Sequence, residues 1–184
     1  MKNEEKIMGE RIYLRKLNLA DVSQAYCDWL NDAEVNKLLY VKSWTMSGLK
    51  DYVAQRLKNS NCFFAGIFDK KNDLHIGTIK LEPINWRKQE AKLGLVIGNK
   101  NYWGKGIGTE ATKLMVGHAF KKMGLKKIKL SVHLENKPAI GVYEKAGFKV
   151  DAIKKSAEQA GRLFDRLMKS LVTMSVEKAA KIKK

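Results

Sequence analysis

The chain has 184 residues, enough for one domain with its own core, and 45% hydrophobic with 9% aromatic residues is a globular composition, not a disordered one. A formal charge of +17, from 36 Lys and Arg against 19 Asp and Glu, favours anionic partners, but the basic residues form no stripe beyond Lys126, Lys127 and Lys129 and the tail Lys178–Lys184, so no specific nucleic-acid surface is expected. No apolar run approaches the ~18 residues of a membrane span, the start MKNEEKIMGER lacks an export-type apolar region, and Cys27 and Cys62 have no metal or disulfide spacing, which points to a cytoplasmic protein with two free thiols, no metal and no membrane partner.

Arg11–Lys16 alternates apolar and polar residues and reads as a first strand. Asp21 is placed to cap a helix over Val22–Leu30, and a second helix is expected over Ser47–Lys58. Phe63–Phe68 and His75–Leu81 read as a hairpin around the turn-rich DKKND, with Pro83 ending the second strand. A strand over Ala91–Ile97 leads into a glycine loop and then a helix over Gly108–Met123. The broad apolar face of that helix, Ala111, Leu114, Met115, Ala119 and Met123, suits packing across a sheet, and Gly124 closes it. Lys127–His133 alternates again, so residues 91–133 form a strand, crossover helix and strand, which makes parallel neighbours. After Asn136 a shorter helix carries Ile140, Tyr143 and Glu144 and ends at Gly147. Phe148–Lys154 and Leu163–Thr173 are the last strands, and the tail from Val176 is expected to be helical or frayed. Nothing divides the chain, so residues 1–184 read as a single domain with a basic tail over 176–184.

The glycine loop carries the chemistry. Asn101–Ala111 reads NYWGKGIGTEA, and glycines at 104, 106 and 108 before a helix suit a backbone cradle for an anionic group. A triphosphate-binding loop of the form GxxxxGK[ST] is excluded, because Asn99 stands where its first glycine belongs and Gly106 where Ser or Thr belongs. The dinucleotide fingerprint GxGxxG fails at Thr109.

The run YWGKGIGTEA, followed after a strand by Asn136, Ala139 and then Tyr143-Glu144-Lys145-Ala146-Gly147-Phe148, resembles the two signature motifs of the GNAT acetyltransferase superfamily. Within it the chain is most similar to the branch containing the ribosomal-protein N-terminal acetyltransferases, and the order of elements matches over essentially the whole chain. The resemblance implies an α/β (α+β) fold: a mixed central sheet of six to seven strands, about four helices, and a splayed parallel strand pair holding the coenzyme. It implies acetyl-CoA as co-substrate. Backbone N–H groups from Trp103 through Gly104, Lys105, Gly106, Ile107 and Gly108 to Thr109 would face the pyrophosphate, with Lys105 adding a mobile cation. Leu95, Val96 and Ile97 would line the pantetheine arm, a backbone N–H near Val96 polarising the thioester carbonyl, and Asn136 would bind the arm or cap its own helix.

In this family the acceptor amine attacks the thioester directly, so no nucleophilic side chain is needed. Tyr143 matches the tyrosine that protonates the departing thiolate. An alkyl amine of pKa about 10.4 is only about one part in a thousand neutral at pH 7, so a base or a proton-conducting water chain should help. Many relatives have a glutamate where this chain has Lys92. Glu82 is the first substitute, followed by Glu90 and Asp165, and His133 is a candidate proton relay. His118 reads as a core or edge residue and His75 carries no signal.

The region 21–58 forms the acceptor side in the family, where Trp29 and Trp44, with Trp86 further along, offer stacking surfaces. The basic balance ranks nucleotide-linked amino sugars and protein N-termini ahead of polyamines. Two other classes remain open: a non-catalytic acyl-CoA-binding sensor, for which Lys92 speaks, and a nucleic-acid binder driven by charge. The resemblance leaves a homodimer open.

Overall fold

The computed structural model describes residues 5–155 and 170–179. Among them, eight strands form one sheet: β1 (Ile7–Met8), β2 (Ile12–Lys16), β3 (Phe63–Asp69), β4 (His75–Asn85), β5 (Glu90–Ile97), β6 (Lys127–His133), β7 (Lys149–Lys155) and β8 (Ser170–Glu177). The helices are α1 (Gln24–Asn31), the single turn α2 (Ala33–Asn36), α3 (Met46–Lys58), α4 (Ile107–Lys121) and α5 (Lys137–Lys145). The sheet order is β1-β2-β3-β4-β5-β6-β8-β7. Only the central pair β5/β6 is parallel; the other pairs are antiparallel.

Side-chain alternation splits the core between the two faces of the sheet. On one, Ile79, Leu81, Leu93, Ile128 and Leu130 pack against Ile107, Ala111, Met115 and Ala119 of α4. On the other, Phe64 packs with Tyr26, Cys27 and Leu30 of α1 and Leu49 and Val53 of α3. Both thiols are free and buried, and burial pushes the Cys62 thiol up to about 11, which keeps it protonated and unreactive.

Several boundaries differ from the sequence-based expectation. The sheet has eight strands where six to seven were expected, because Ile7 and Met8 pair with Leu14 and Tyr13 as a short edge strand too brief to show periodicity. Helix α1 starts at Gln24 and is capped by Ser23, whose side chain accepts from Tyr26 N–H. Asp21 instead closes a 3-10 turn, accepting from Asn18 N–H and from both Nη atoms of Arg15. Pro83 does not end β4. A bulge between Leu81 and Ile84 absorbs the residue that has no N–H to donate, and the strand runs on to Asn85. Val176 and Glu177 close β8 rather than opening a helical tail; residues 163–169 of the last expected strand lie outside the described residues. No helix among the described residues is long and apolar enough to cross a membrane.

Candidate active site

The parallel pair sets the site's geometry. β5 and β6 are paired only over Glu90–Lys92 and Lys127–Lys129. Beyond that β6 pairs only with β8, so Leu93–Ile97 leave one backbone edge open, and burial falls from Leu93 to half-exposed Gly94, Leu95, Val96 and Ile97. The N–H of Gly98 donates to Ile76 C=O (3.0 Å), so by the antiparallel alternation Gly94 and Val96 turn their backbone groups to β4 while Leu95 and Ile97 turn theirs to the gap. The indole Nε1–H of Trp103 donates to Ile97 C=O at 2.8 Å, consistent with that direction. The gap-facing donors are therefore those of Leu95 and Ile97. Val96, between them, packs its side chain on the α1 and α3 face.

The glycine loop follows immediately. Gly104 (φ +71°) and Gly106 (φ +76°) both sit in the left-handed region, which a side-chain-bearing residue enters at a cost of about 1–2 kcal/mol. Gly106 is the N-cap of the 15-residue α4 and no side chain caps it, so the first N–H groups of the helix, at Ile107, Gly108 and Thr109, stay open for an anion. A Cβ on Gly104 would meet nothing within 4 Å, so the loop is held open by its backbone and not by packing. Lys105 is exposed, and its C=O accepts from Nη1 of Arg11. Arg11 also donates through Nε to Glu110 Oε2 (2.9 Å), and Glu110 Oε1 accepts from Arg11 N–H (2.9 Å) and Ile12 N–H (3.3 Å). Although burial opposes it, these contacts hold Glu110 below its ordinary carboxylate range. This clamp on the loop was not read from the sequence.

Tyr143 lies on α5. It is buried, its ring 5.8 Å from that of Phe148, and burial pushes its phenol up to about 12. Asn136 caps α5, its side chain accepting from Ala139 N–H at 3.2 Å, so the capping role of this residue is realised. His133 ends β6, half-buried. Asp165 lies outside the described residues.

Glu82 stands on the other face of β4, the one that meets α3. Its Oε2 accepts from Lys80 Nζ (2.5 Å) and Arg56 Nε (3.1 Å), and although burial pushes its carboxyl up, these two cations bring it below the ordinary range. Glu90 is held low by Lys129 Nζ at 2.6 Å. Of the tryptophans, Trp29 packs on Tyr26, His75 and the backbone of Gly98, Trp44 packs edge-on against Tyr52 (4.9 Å), and exposed Trp86 donates to Ser60 C=O near the far end of β4.

An open strand edge next to an uncapped helix start fits an elongated ligand ending in phosphates, and comparison with known proteins agrees. The acetyltransferase (GNAT) domain profile matches residues 11–149. The chain belongs to the GNAT acetyltransferase family. An uncharacterized N-acetyltransferase of Bacillus licheniformis, p20, is 30% identical over 174 residues, covering 91% of this chain and 96% of that protein. A GNAT acetyltransferase of Bacillus anthracis has the same fold, with TM-score 0.80 at 21% identity over 94% of this chain and 98% of that one. So does the Vibrio cholerae spermidine N-acetyltransferase solved with CoA and spermine, with TM-score 0.79 at 19% identity over 92% of this chain and 96% of that one. The protein is therefore an acetyl-CoA-dependent N-acetyltransferase of this family. Its open loop N–H groups and free strand edge have the donors that the coenzyme's pyrophosphate and amide-bearing arm require.

Proposed function

We propose that the protein moves an acetyl group from acetyl-CoA to a primary amine by direct attack on the thioester, with a nucleotide-linked amino sugar or a protein N-terminus as acceptor. The carrying observation is the open Leu93–Ile97 edge running up to the uncapped start of α4. In this reading Trp103, Gly104, Lys105, Gly106, Ile107, Gly108 and Thr109 wrap the pyrophosphate, Leu95 and Ile97 pair with the arm, and Asn136 holds the α5 side. The protein N-terminus option follows the resemblance to the ribosomal-protein branch, and the buried thiols suit a cytoplasmic enzyme.

Glu82 takes the proton released as the amine adds, and Tyr143 gives one to the departing thiolate. A phenol near 12 is a weak acid toward a free thiolate near 8.5, but the same desolvation that raises the phenol raises any thiolate beside it, which narrows the mismatch. A second reading, a polyamine acceptor, is favoured by the spermine-bound Vibrio cholerae neighbour. It calls for unpaired carboxylates on the acceptor face, whereas Glu82 and Glu90 are both engaged by cations.

The deciding experiment is acetyl-CoA-dependent thiol release against amino-sugar nucleotides, short peptides and polyamines. Turnover confined to one of the first two classes is expected; polyamine-only turnover would install the second reading.

A further inference from the structure

Beside the open edge of β5, on the face that carries α1 and α3, four side chains from two elements converge. Lys80 lies along β5: a Cβ built on Gly94 would sit 3.5 Å from its Cε. Its Nζ reaches Tyr52 Oη at 3.0 Å and Glu82 Oε2 at 2.5 Å. Arg56, one turn after Tyr52 on α3, places its guanidinium 3.4 Å over the Tyr52 ring and donates Nε to the same Glu82 oxygen and Nη1 to Tyr52 C=O. The side chains of Arg56, Lys80 and Glu82 are 22%, 26% and 19% exposed, so the group is largely withdrawn from water yet still reachable.

Two cations therefore share one carboxylate oxygen. The fork of Arg56 is only partly used, because among the described residues Nη2 has no hydrogen-bond acceptor, and Glu82 Oε1 has no donor. Guanidinium geometry suits a second, two-pronged contact with a carboxylate or phosphate. A surplus cation with spare donors next to a carboxylate oxygen with a spare lone pair complements a ligand that carries an anion and an ammonium a few atoms apart.

Resting on the acetyltransferase reading above, we propose that Arg56 and Lys80 are the acceptor-reading residues and select an amine that bears a carboxylate or phosphate close by. Glu82 Oε1 receives the ammonium of the same acceptor. A polyamine, cationic throughout, offers Nη2 of Arg56 no acceptor and meets like charge at Lys80.

The test is calorimetric binding to protein already loaded with CoA, which cannot react, using matched probes: a hexosamine and its phosphate, a short peptide amide with Asp or Asn in second place, and spermidine. The hexosamine and peptide pairs separate phosphate from carboxylate sources. The anionic member of at least one pair should bind roughly tenfold more tightly than its neutral partner, with spermidine weakest. Arg56→Gln and Lys80→Gln should each remove most of that preference while CoA affinity stays unchanged. Should either variant fail to fold, the wild-type comparison at low and high salt decides alone, because the preference must shrink as salt rises. Equal binding within both pairs, strongest binding of spermidine, or a preference that survives both substitutions overturns the proposal. Thiol release in parallel separates the two readings. Anion-selective binding without release of thiol from acetyl-CoA keeps the acceptor site and removes the reaction, whereas turnover blind to charge removes the acceptor site and keeps the reaction.

Discussion

Burial makes Tyr143 informative, because a phenol at 7% exposure either packs or reacts, and replacing it with phenylalanine separates the two. Tyr143→Phe keeps the ring against Phe148 and removes only the hydroxyl. If the hydroxyl assists the leaving thiolate, kcat falls by about 10²–10³ while CoA affinity and melting temperature hold. A variant with unchanged kcat would reduce Tyr143 to a packing residue. Gly106 tests the loop in the same single-residue way. At φ +76°, Gly106→Ala adds a side chain to a left-handed residue at a cost of about 1–2 kcal/mol. Part of that cost is met by turning the loop away from its ligand-binding shape, so acetyl-CoA binding should weaken by roughly tenfold by calorimetry, with acceptor KM unaffected. An affinity equal to wild type would mean that the loop does not need this conformation to hold the coenzyme.

Between elements, the Arg11–Glu110 clamp joins β2 to the first turn of α4 and, through the Lys105 carbonyl, to the loop. Its expected role is to point carbonyls away from the cradle so that N–H groups face in. Arg11→Met should raise KM for acetyl-CoA several-fold with kcat little changed, and steady-state kinetics with acetyl-CoA varied checks it; an unchanged KM removes the positioning role. The clamp also shows what a sequence hides. Arg11 and Glu110 stand 99 positions apart, and neither has a local pattern that announces the other. The loop, the crossover helix and the parallel β5/β6 pair were legible because each is encoded locally: glycines at fixed spacing, a broad apolar stripe, clean alternation. The strand at Ile7–Met8 was not, since two residues have no periodicity, and the run of β4 past Pro83 depends on a bulge that forms only against β5. In the proposed acceptor site, Glu82 and Lys80 share one face of a strand by alternation alone. Arg56 could not be read into it, because α3 lies over that face only once the sheet has assembled.

At the scale of the whole molecule, acid stability turns on a residue that the sequence did not single out. His75 is enclosed by the rings of Tyr26 (5.3 Å), Trp29 (5.2 Å) and Phe68 (4.9 Å), and neither ring nitrogen finds a hydrogen-bond partner among the described residues. Burial lowers its pKa to about 4, against an ordinary value of 6.5. Between those values the unfolded chain binds a proton that the folded one refuses, so folding stability rises with pH. The contribution is complete above about 6.5 and is lost as pH falls toward 4, amounting to about 3 kcal/mol. The carboxylates held low by ion pairs, Glu82, Glu90 and Glu110, lose stability mainly below their ordinary 4.5, and each proton they take up adds to the self-repulsion of a chain already at +17. The window between 5 and 6.5 therefore reports chiefly on the histidines, and His118, also lowered by burial, is the one to control for. Urea unfolding at half-unit pH steps should show a steep loss of stability in wild type and in His118→Gln across that window, and a nearly flat line in His75→Phe. Equal slopes in wild type and His75→Phe would mean that the aromatic enclosure tolerates the charged ring, and a loss between 5 and 6.5 would then have to come from another group, His118 before the ion-paired carboxylates, which act mainly below 4.5.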